Sequence, residues 1–250
     1  MKKILILGVT VLFMMTACSD DDTTTTPAND NTLLQKTITT SEDGTVTTSN
    51  YTYSDNKIVS IVSSDGTTSS YIYIDDLITN IKTTKNNNIN EETIIEYNSD
   101  GRKKSEISLL SAPGLGLNQG TKELYTYNQD GTITYSTYSG DTTSQTQFEG
   151  TGKITIDVNN GLILHQGMNM EDFEHKFDTN KNPMKNIKGF EEYMMPHFNG
   201  TNNLLEGFKT TSTISYINTY TYNSDKYPLT LTEKTFVGGK YITSQKQYFY

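Results

Sequence analysis

Along most of the chain, aromatic or branched apolar residues recur at every second position in short runs, and the runs are broken by Asn, Asp and Gly. One phrase returns again and again: aromatic-x-aromatic, a polar turn, then apolar alternation. It reads Tyr51-x-Tyr53 before Ser54-Asp55-Asn56, and Tyr71-x-Tyr73 before Asp75-Asp76. Ile95-x-Tyr97 precedes Ser99-Asp100-Gly101, and Tyr125-x-Tyr127 precedes Gln129-Asp130-Gly131. Further copies are Ile154-x-Ile156, His175-x-Phe177 and Tyr220-x-Tyr222, and Tyr248-x-Tyr250 closes the sequence. Residues two apart share one face of a strand, so each phrase lays two rings side by side. Asn, Asp and Gly accept the left-handed backbone of tight hairpin turns. Alternation then resumes, as in Ile58 and Ile61 or Ile133 and Tyr135. Each unit predicts a β-hairpin, and about fourteen to sixteen strands are expected in all.

Two stretches depart from this rhythm. Residues 111–120 form a Gly-rich segment that predicts a loop, and residues 183–208 hold the one expected helix, roughly 187–195, ended by Pro196. Phe190, Tyr193 and Met194 share helical spacing there and could pack on the sheet. Pro113, Pro183, Pro196 and Pro228 all fall at turns or in these insertions, where they break no ladder. The expected fold is all-β, a long antiparallel meander of hairpins. A sheet with one greasy face must hide it, by curling into a half-barrel, closing, or folding over as a sandwich. The expectation is a strongly curved open sheet or half-barrel, its tyrosines on the concave side and partly covered by the helical insertion.

The Ile95-x-Tyr97-Asn98-Ser99-Asp100-Gly101-Arg102 unit resembles the YD units of Rhs-type repeat proteins. More closely, the chain resembles YD-repeat-like lipoproteins of the Bacteroidota. These carry a lipobox, several such hairpins, and an Asp-x-x-Asn-Pro-x-x-Asn type of turn before a short helical insertion. The corresponding stretch here is Asp178 to Asn182-Pro183 and Asn186, with Asn202-Asn203 beyond it. The resemblance covers most of residues 45–250, and it implies a meander but no particular activity. Unit spacing is irregular, about 20 to 30 residues, which argues against a regular solenoid.

The N-terminus reads as an address. Lys2 and Lys3 precede an apolar run from Ile4 to Met15, too short for a spanning helix of about 20 residues. This is the pattern of a secretory signal over residues 1–17. Met15-Thr16-Ala17-Cys18 resembles a lipobox, with Cys18, the one cysteine of the chain, as the lipid attachment point. Ser19, Asp20, Asp21 and Asp22 resemble the surface-export signal of Bacteroidota lipoproteins. Residues 18–32 then form a tether without a large apolar residue, followed by a single repeat domain over 33–250.

Charge and composition narrow the chemistry. Without Lys2 and Lys3 the chain has 18 basic and 29 acidic side chains, a net charge of −11, which repels phosphate backbones. Nucleic acid is therefore not an expected partner. His165, His175 and His197 lack a metal-protease spacing, and they read as core or solvated residues rather than ligands. Asp178-x-Asn180-x-Asn182 begins like a calcium loop, but Pro183 and Gly189 stand where Gly and Glu are needed, so it reads as a turn. No serine elbow, phosphate loop or dinucleotide fingerprint occurs. Neither metal nor cofactor is expected. Asp22-Thr23-Thr24 and Asp141-Thr142-Thr143 resemble Bacteroidota O-glycosylation sites.

The expected role is that of a lipid-anchored outer-membrane protein facing the cell exterior, a non-catalytic binder or scaffold. Its partners would be the membrane through Cys18, and an outer-membrane protein or an extracellular polymer. Tyr51, Tyr53, Tyr71, Tyr73, Tyr97, Tyr125, Tyr127, Tyr220 and Tyr222 are the candidate aromatic binding surface, or else simply the core. The alternatives are a half-barrel carrier of a lipid or other hydrophobe, and a glycan hydrolase working through paired carboxylates.

Overall fold

The computed structural model of the chain describes residues 31–86, 89–159, 161–167, 172–198, 200–209 and 214–250. The expected signal segment, Cys18, Ser19 to Asp22 and the Asp22-Thr23-Thr24 site lie outside them. The described residues form sixteen strands. The first six are β1 (Lys36–Thr40), β2 (Val46–Ser54), β3 (Lys57–Ser63), β4 (Thr67–Ile74), β5 (Leu77–Lys85) and β6 (Ile89–Tyr97). Next come β7 (Lys103–Ala112), β8 (Leu117–Tyr127), β9 (Ile133–Gly140), β10 (Gln145–Asp157) and β11 (Leu162–Gly167). The last five are β12 (Phe173–Lys181), β13 (Asn202–Lys209), β14 (Ile214–Tyr222), β15 (Pro228–Val237) and β16 (Lys240–Phe249). One short helix, α1 (Phe190–Met194), stands between β12 and β13.

Every strand pairs antiparallel with its sequence neighbours, and β1 pairs with β16 in continuous register from Lys36↔Phe249 to Thr40↔Gln245. The ladder is therefore closed. The expected open sheet or half-barrel is corrected to a complete barrel. A closed sheet leaves no edge with unpaired backbone groups, whereas an open meander would expose two. Closure repeats the hairpin rule: β16, with Tyr248 and the following Tyr250, stands like an outgoing strand, and β1 serves as its returning partner.

The turns behave as their residues predict. Gly101 and Gly131 adopt φ of 81° and 82°, and in turns without Gly, Asp55, Asp75 and Lys226 take φ of 53°, 52° and 68°. The Gly-rich loop expected over 111–120 shrinks to a 3-10 turn at Pro113–Leu115. Residues on both sides of it continue the ladder, with Ala112 facing Leu117 and Leu110 facing Gln119.

The phrase's rings point inward, and its second tyrosine does a specific job. Tyr97 Oη donates to the Ile78 carbonyl at 2.7 Å, and Tyr127 Oη to that of Lys103 at 2.9 Å. Tyr53 reaches the Leu34 carbonyl at 2.6 Å, and Tyr250 that of Pro228 at 3.0 Å. Tyr73 inverts the sense, accepting from the Ile58 amide at 3.2 Å. In each case the hydroxyl ties one hairpin to the start of the returning strand of the hairpin before it. Tyr53 and Tyr250 repeat the pattern on either side of the β1–β16 seam.

Glycine makes room for rings elsewhere in the wall. A Cβ on Gly152 would lie 2.3 Å from the Tyr135 ring, and one on Gly207 would lie 2.0 Å from that of Tyr216. The outward positions carry charge in mid-strand. Lys82 pairs with Glu92 at 3.4 Å and Lys104 with Glu96 at 3.2 Å, while Lys122 and Lys153 share that face. A basic residue on a lipid-facing wall costs about 2–4 kcal/mol at mid-membrane. The same face also exposes Val62, Ile72, Leu124 and Phe148, so it is mixed, with charge in mid-strand beside apolar residues.

The insertion fills one end of the barrel. Asn203 anchors its exit, taking the Asp178 carboxylate at its amide at 2.9 Å and donating Nδ2 to the Lys181 carbonyl at 3.0 Å. Asp178 also accepts from the Asn180 amide and the Tyr222 hydroxyl, so protein donors surround the carboxylate of the calcium-like sequence. Helix α1 is shorter than the expected 187–195. Gly189 adopts a left-handed φ of 71° where a Cβ would lie 2.5 Å from the Asp76 carbonyl, which delays the helix start. Pro196 forces extended backbone on Met195 and ends it. Tyr193 packs on a cluster of Ile78, Ile81 and Ile95, and Phe198 on one of Tyr125, Ile133, Tyr135, Ile154, Ile163 and Phe177. The insertion is thus a plug that joins two parts of the wall.

Replacing Tyr97 with Phe leaves the Ile78 carbonyl without its donor, at a cost of about 1–2 kcal/mol. The expected outcome is a lower urea midpoint with an unchanged slope. An unaltered midpoint would show that the tyrosine ties contribute nothing.

Candidate functional site

Beneath the plug lies a cavity of about 420 Å³ lined by Lys103, Glu106 and Ser108 of β7, Thr121 and Glu123 of β8, and Tyr193, Met194, His197 and Phe198 of the insertion. Glu106 and Ser108 of β7 alternate inward opposite Glu123 and Thr121 of β8, and a bulge at Lys104 turns Lys103 inward as well. Strand periodicity therefore delivers them to one surface. Each acid has a basic partner. Lys103 Nζ, its side chain 2% exposed, meets Glu106 Oε2 at 2.6 Å. His197 Nε2 meets Glu123 Oε2 at 2.9 Å and the Tyr125 hydroxyl at 2.9 Å. Tyr125 Oη also donates to Glu123.

Burial alone would raise the Glu123 carboxyl. The hydrogen bond and charge of His197, with Tyr125 and Lys103, overcome that and hold it below the usual carboxylate range. Burial pushes the Tyr125 hydroxyl far up, helped by the Glu123 charge, so it stays a donor.

All three histidines of the chain meet here, though they lie on β11, β12 and the insertion. The His165 and His197 rings are nearly parallel, with centroids 5.1 Å apart, and His165 meets His175 edge-on at 5.0 Å. His165 Nε2 lies 3.2 Å from the His197 carbonyl, and His175 bonds the same residue's backbone. Phe198 stacks on His175 at 4.7 Å. Burial, then the neighbouring imidazole, pushes both His165 and His175 down to about 4, so they are neutral near pH 7. No group of three or more His, Cys, Asp or Glu with metal-binding geometry occurs among the described residues.

Sequence reasoning read the histidines one at a time and did not bring them together. A signal existed: His165 and His175 occupy the inward parity of adjacent strands, two rungs apart on the β11–β12 ladder. What the sequence could not show is that the insertion would return His197 to that spot.

Of the nine tyrosines considered as a binding surface, Tyr125 alone contacts the Glu123–His197 pair. Tyr53, Tyr73, Tyr97 and Tyr127 spend their hydroxyls on backbone ties, and Tyr220 donates to the Leu204 carbonyl at 3.1 Å. Tyr222 donates to Asp178, Tyr71 packs on the Ile78 cluster, and Tyr51 is largely buried beside Thr37. At Asp141-Thr142-Thr143 both threonine hydroxyls are engaged, with Asn118 and Asp141.

No family model matches the chain, and no curated protein does. Among solved structures it is similar to a porin-like protein from Bacteroides uniformis ATCC 8492. The TM-score is 0.45 and the identity 11%, over 86% of this chain and 97% of that one. A likeness that loose says nothing of ligand, substrate or location.

Because the folded protein holds Glu123 ionised more strongly than the unfolded chain does, its contribution is present above the ordinary carboxylate range and fades as pH falls through the depressed value. A Glu123→Gln variant should lose most stability relative to the parent at pH 7 and progressively less toward pH 3, read by urea unfolding. A difference independent of pH would contradict the assigned charge pairing.

Proposed function

We propose that this is a lipid-anchored, non-catalytic binding protein of the outer membrane, displayed toward the cell exterior, whose plugged barrel takes a polar group into the cavity between β7, β8 and the insertion. The observation that carries the binding reading is the cavity's lining: the Lys103–Glu106 ion pair and the hydrogen-bonded His197–Glu123 pair, with Ser108, Thr121, Tyr193 and Phe198. Donors, acceptors and aromatic faces in one polar recess suit a hydroxyl-rich unit, such as a sugar of an extracellular polymer. The anchor rests on the Met15-Thr16-Ala17-Cys18 sequence and the export reading on Ser19 to Asp22. The mid-strand charges of Lys82, Lys122 and Lys153 on the outer face favour attachment through a lipid over spanning.

The alternatives fit less well. A carrier of lipids would have to press hydrocarbon against Lys103, Glu106 and Glu123, at the cost of desolvating them. A glycosidase needs one carboxyl held protonated as the acid, whereas His197 and Tyr125 hold Glu123 in the opposite form.

Two measurements test the proposal on the full chain. Intact cells treated with external protease should lose the protein, and Cys18→Ala should release it from the membrane fraction. Calorimetric titration with a panel of soluble oligosaccharides should find a binder whose affinity falls at least tenfold in Thr121→Phe, which fills the cavity. Protection from protease would refute surface display, and a panel without a Thr121-sensitive binder would refute the sugar-binding reading.

A further inference from the structure

We infer that the histidine cluster is an acid-sensitive latch: protonation of His165 and His175 on the barrel wall drives the insertion carrying His197 out of the barrel end. The inference rests on the placement of the three rings and not on what the cavity binds.

The latch has a wall half and a plug half. His165 and His175 stand on β11 and β12, and both hydrogen-bond the backbone of His197 on the insertion. The plug's Phe198 covers His175, and its His197 ring lies flat against His165. Beyond these contacts the wall histidines see few counter-charges. The His175 ring is bounded by Phe173, Phe177 and Tyr216, and its Nδ1 is buried without a hydrogen-bond partner among the described residues. The charged groups around the cluster are Glu123 of β8 and the Lys103–Glu106 pair of β7, while Tyr125, Tyr135, Tyr193 and Tyr216 are neutral hydroxyls. Glu123 is already committed to His197 and Tyr125. It attracts His165 weakly, as the least of the influences on that ring. A proton on His165 or His175 therefore adds a positive charge against another imidazole, in a site with no uncommitted anion among the described residues.

Linkage fixes the direction. With the plug seated, both rings titrate at about 4. A wall histidine released to water regains its ordinary value of about 6.5. Between those values the released state binds more protons, so falling pH favours release and rising pH favours closure. Each histidine shifts the balance by up to about tenfold per pH unit, and the pair by up to about a hundredfold. Tyr193, Met194, His197 and Phe198 also line the cavity, so release would take the cavity apart.

The restraints on the plug are graded. Its entry is held by backbone and side-chain bonds near Asn56, Asp76 and Tyr227 through Asn186 and Lys188, none of which involves histidine. The segment beyond Met194 depends on the cluster. Release is thus expected to start at residues 195–198 and extend to α1, with the barrel left intact.

The test is amide hydrogen exchange on the full chain in detergent micelles from pH 6.5 to 4.5, corrected for the intrinsic pH dependence of exchange. Protection over residues 190–198 should fall by up to about a hundredfold per pH unit, while amides of β4 to β6 keep theirs. His165→Gln/His175→Gln, whose amides still donate but cannot take a proton, should flatten the response. Should the double variant not fold, each single variant should halve the logarithmic slope. Constant protection of 190–198 in the parent would overturn the latch. So would an equal fall in the double variant or in both singles, or a simultaneous loss in β4 to β6.

Discussion

A strand is stable in a sheet when both of its edges and its apolar face are satisfied, and here one device serves all three. Closing β1 onto β16 gives every strand two partners and turns the apolar parity inward at the same time. With a third of the sequence apolar and no tryptophan, the chain cannot fill a lumen with aliphatic packing alone. Tyrosine answers this constraint. Its ring supplies apolar contact, and its hydroxyl supplies a bond to the backbone of a neighbouring hairpin. The ties from Tyr53, Tyr97, Tyr127 and Tyr250 are one contact repeated around the wall.

The same shortage of apolar volume explains the plug. Two greasy clusters, around Ile78 and around Ile154, occupy different parts of the wall, and the insertion places Tyr193 on one and Phe198 on the other. Polar side chains shape its entry and exit, with Asn186, Asn203 and Asp178 bonding to strand ends. What the rings leave unfilled is the polar cavity beside Glu123. Its charge pairs and the histidine cluster exist because the plug brings side chains to wall positions that already faced inward.

Much of this was legible in the chain. The Tyr-x-Tyr phrases and their Asn, Asp and Gly turns marked the hairpins, their number and the inward face, because strand and turn chemistry are local. Closure was not legible, since the pairing of Lys36 with Phe249 depends on accumulated twist and register over the whole ladder. The helix was legible in place but not in length, because Gly189 is held by its close approach to the Asp76 backbone, a tertiary fact. The site was the least legible part. Glu123, Lys103 and His197 carry no motif, and they meet only because a return of the chain between β12 and β13 crosses the barrel end.

The central claim is that the hairpin ladder closes on itself, and a cross-link at the seam tests it most directly. Ile38 and Gln247 are directly paired across β1 and β16 and share the outer face. In a Cys18→Ser background, Ile38→Cys with Gln247→Cys should form an intramolecular disulfide under mild oxidation, in high yield and independent of protein concentration. Free thiols, or disulfides only between molecules, would show that the two strands do not meet and that the barrel is open.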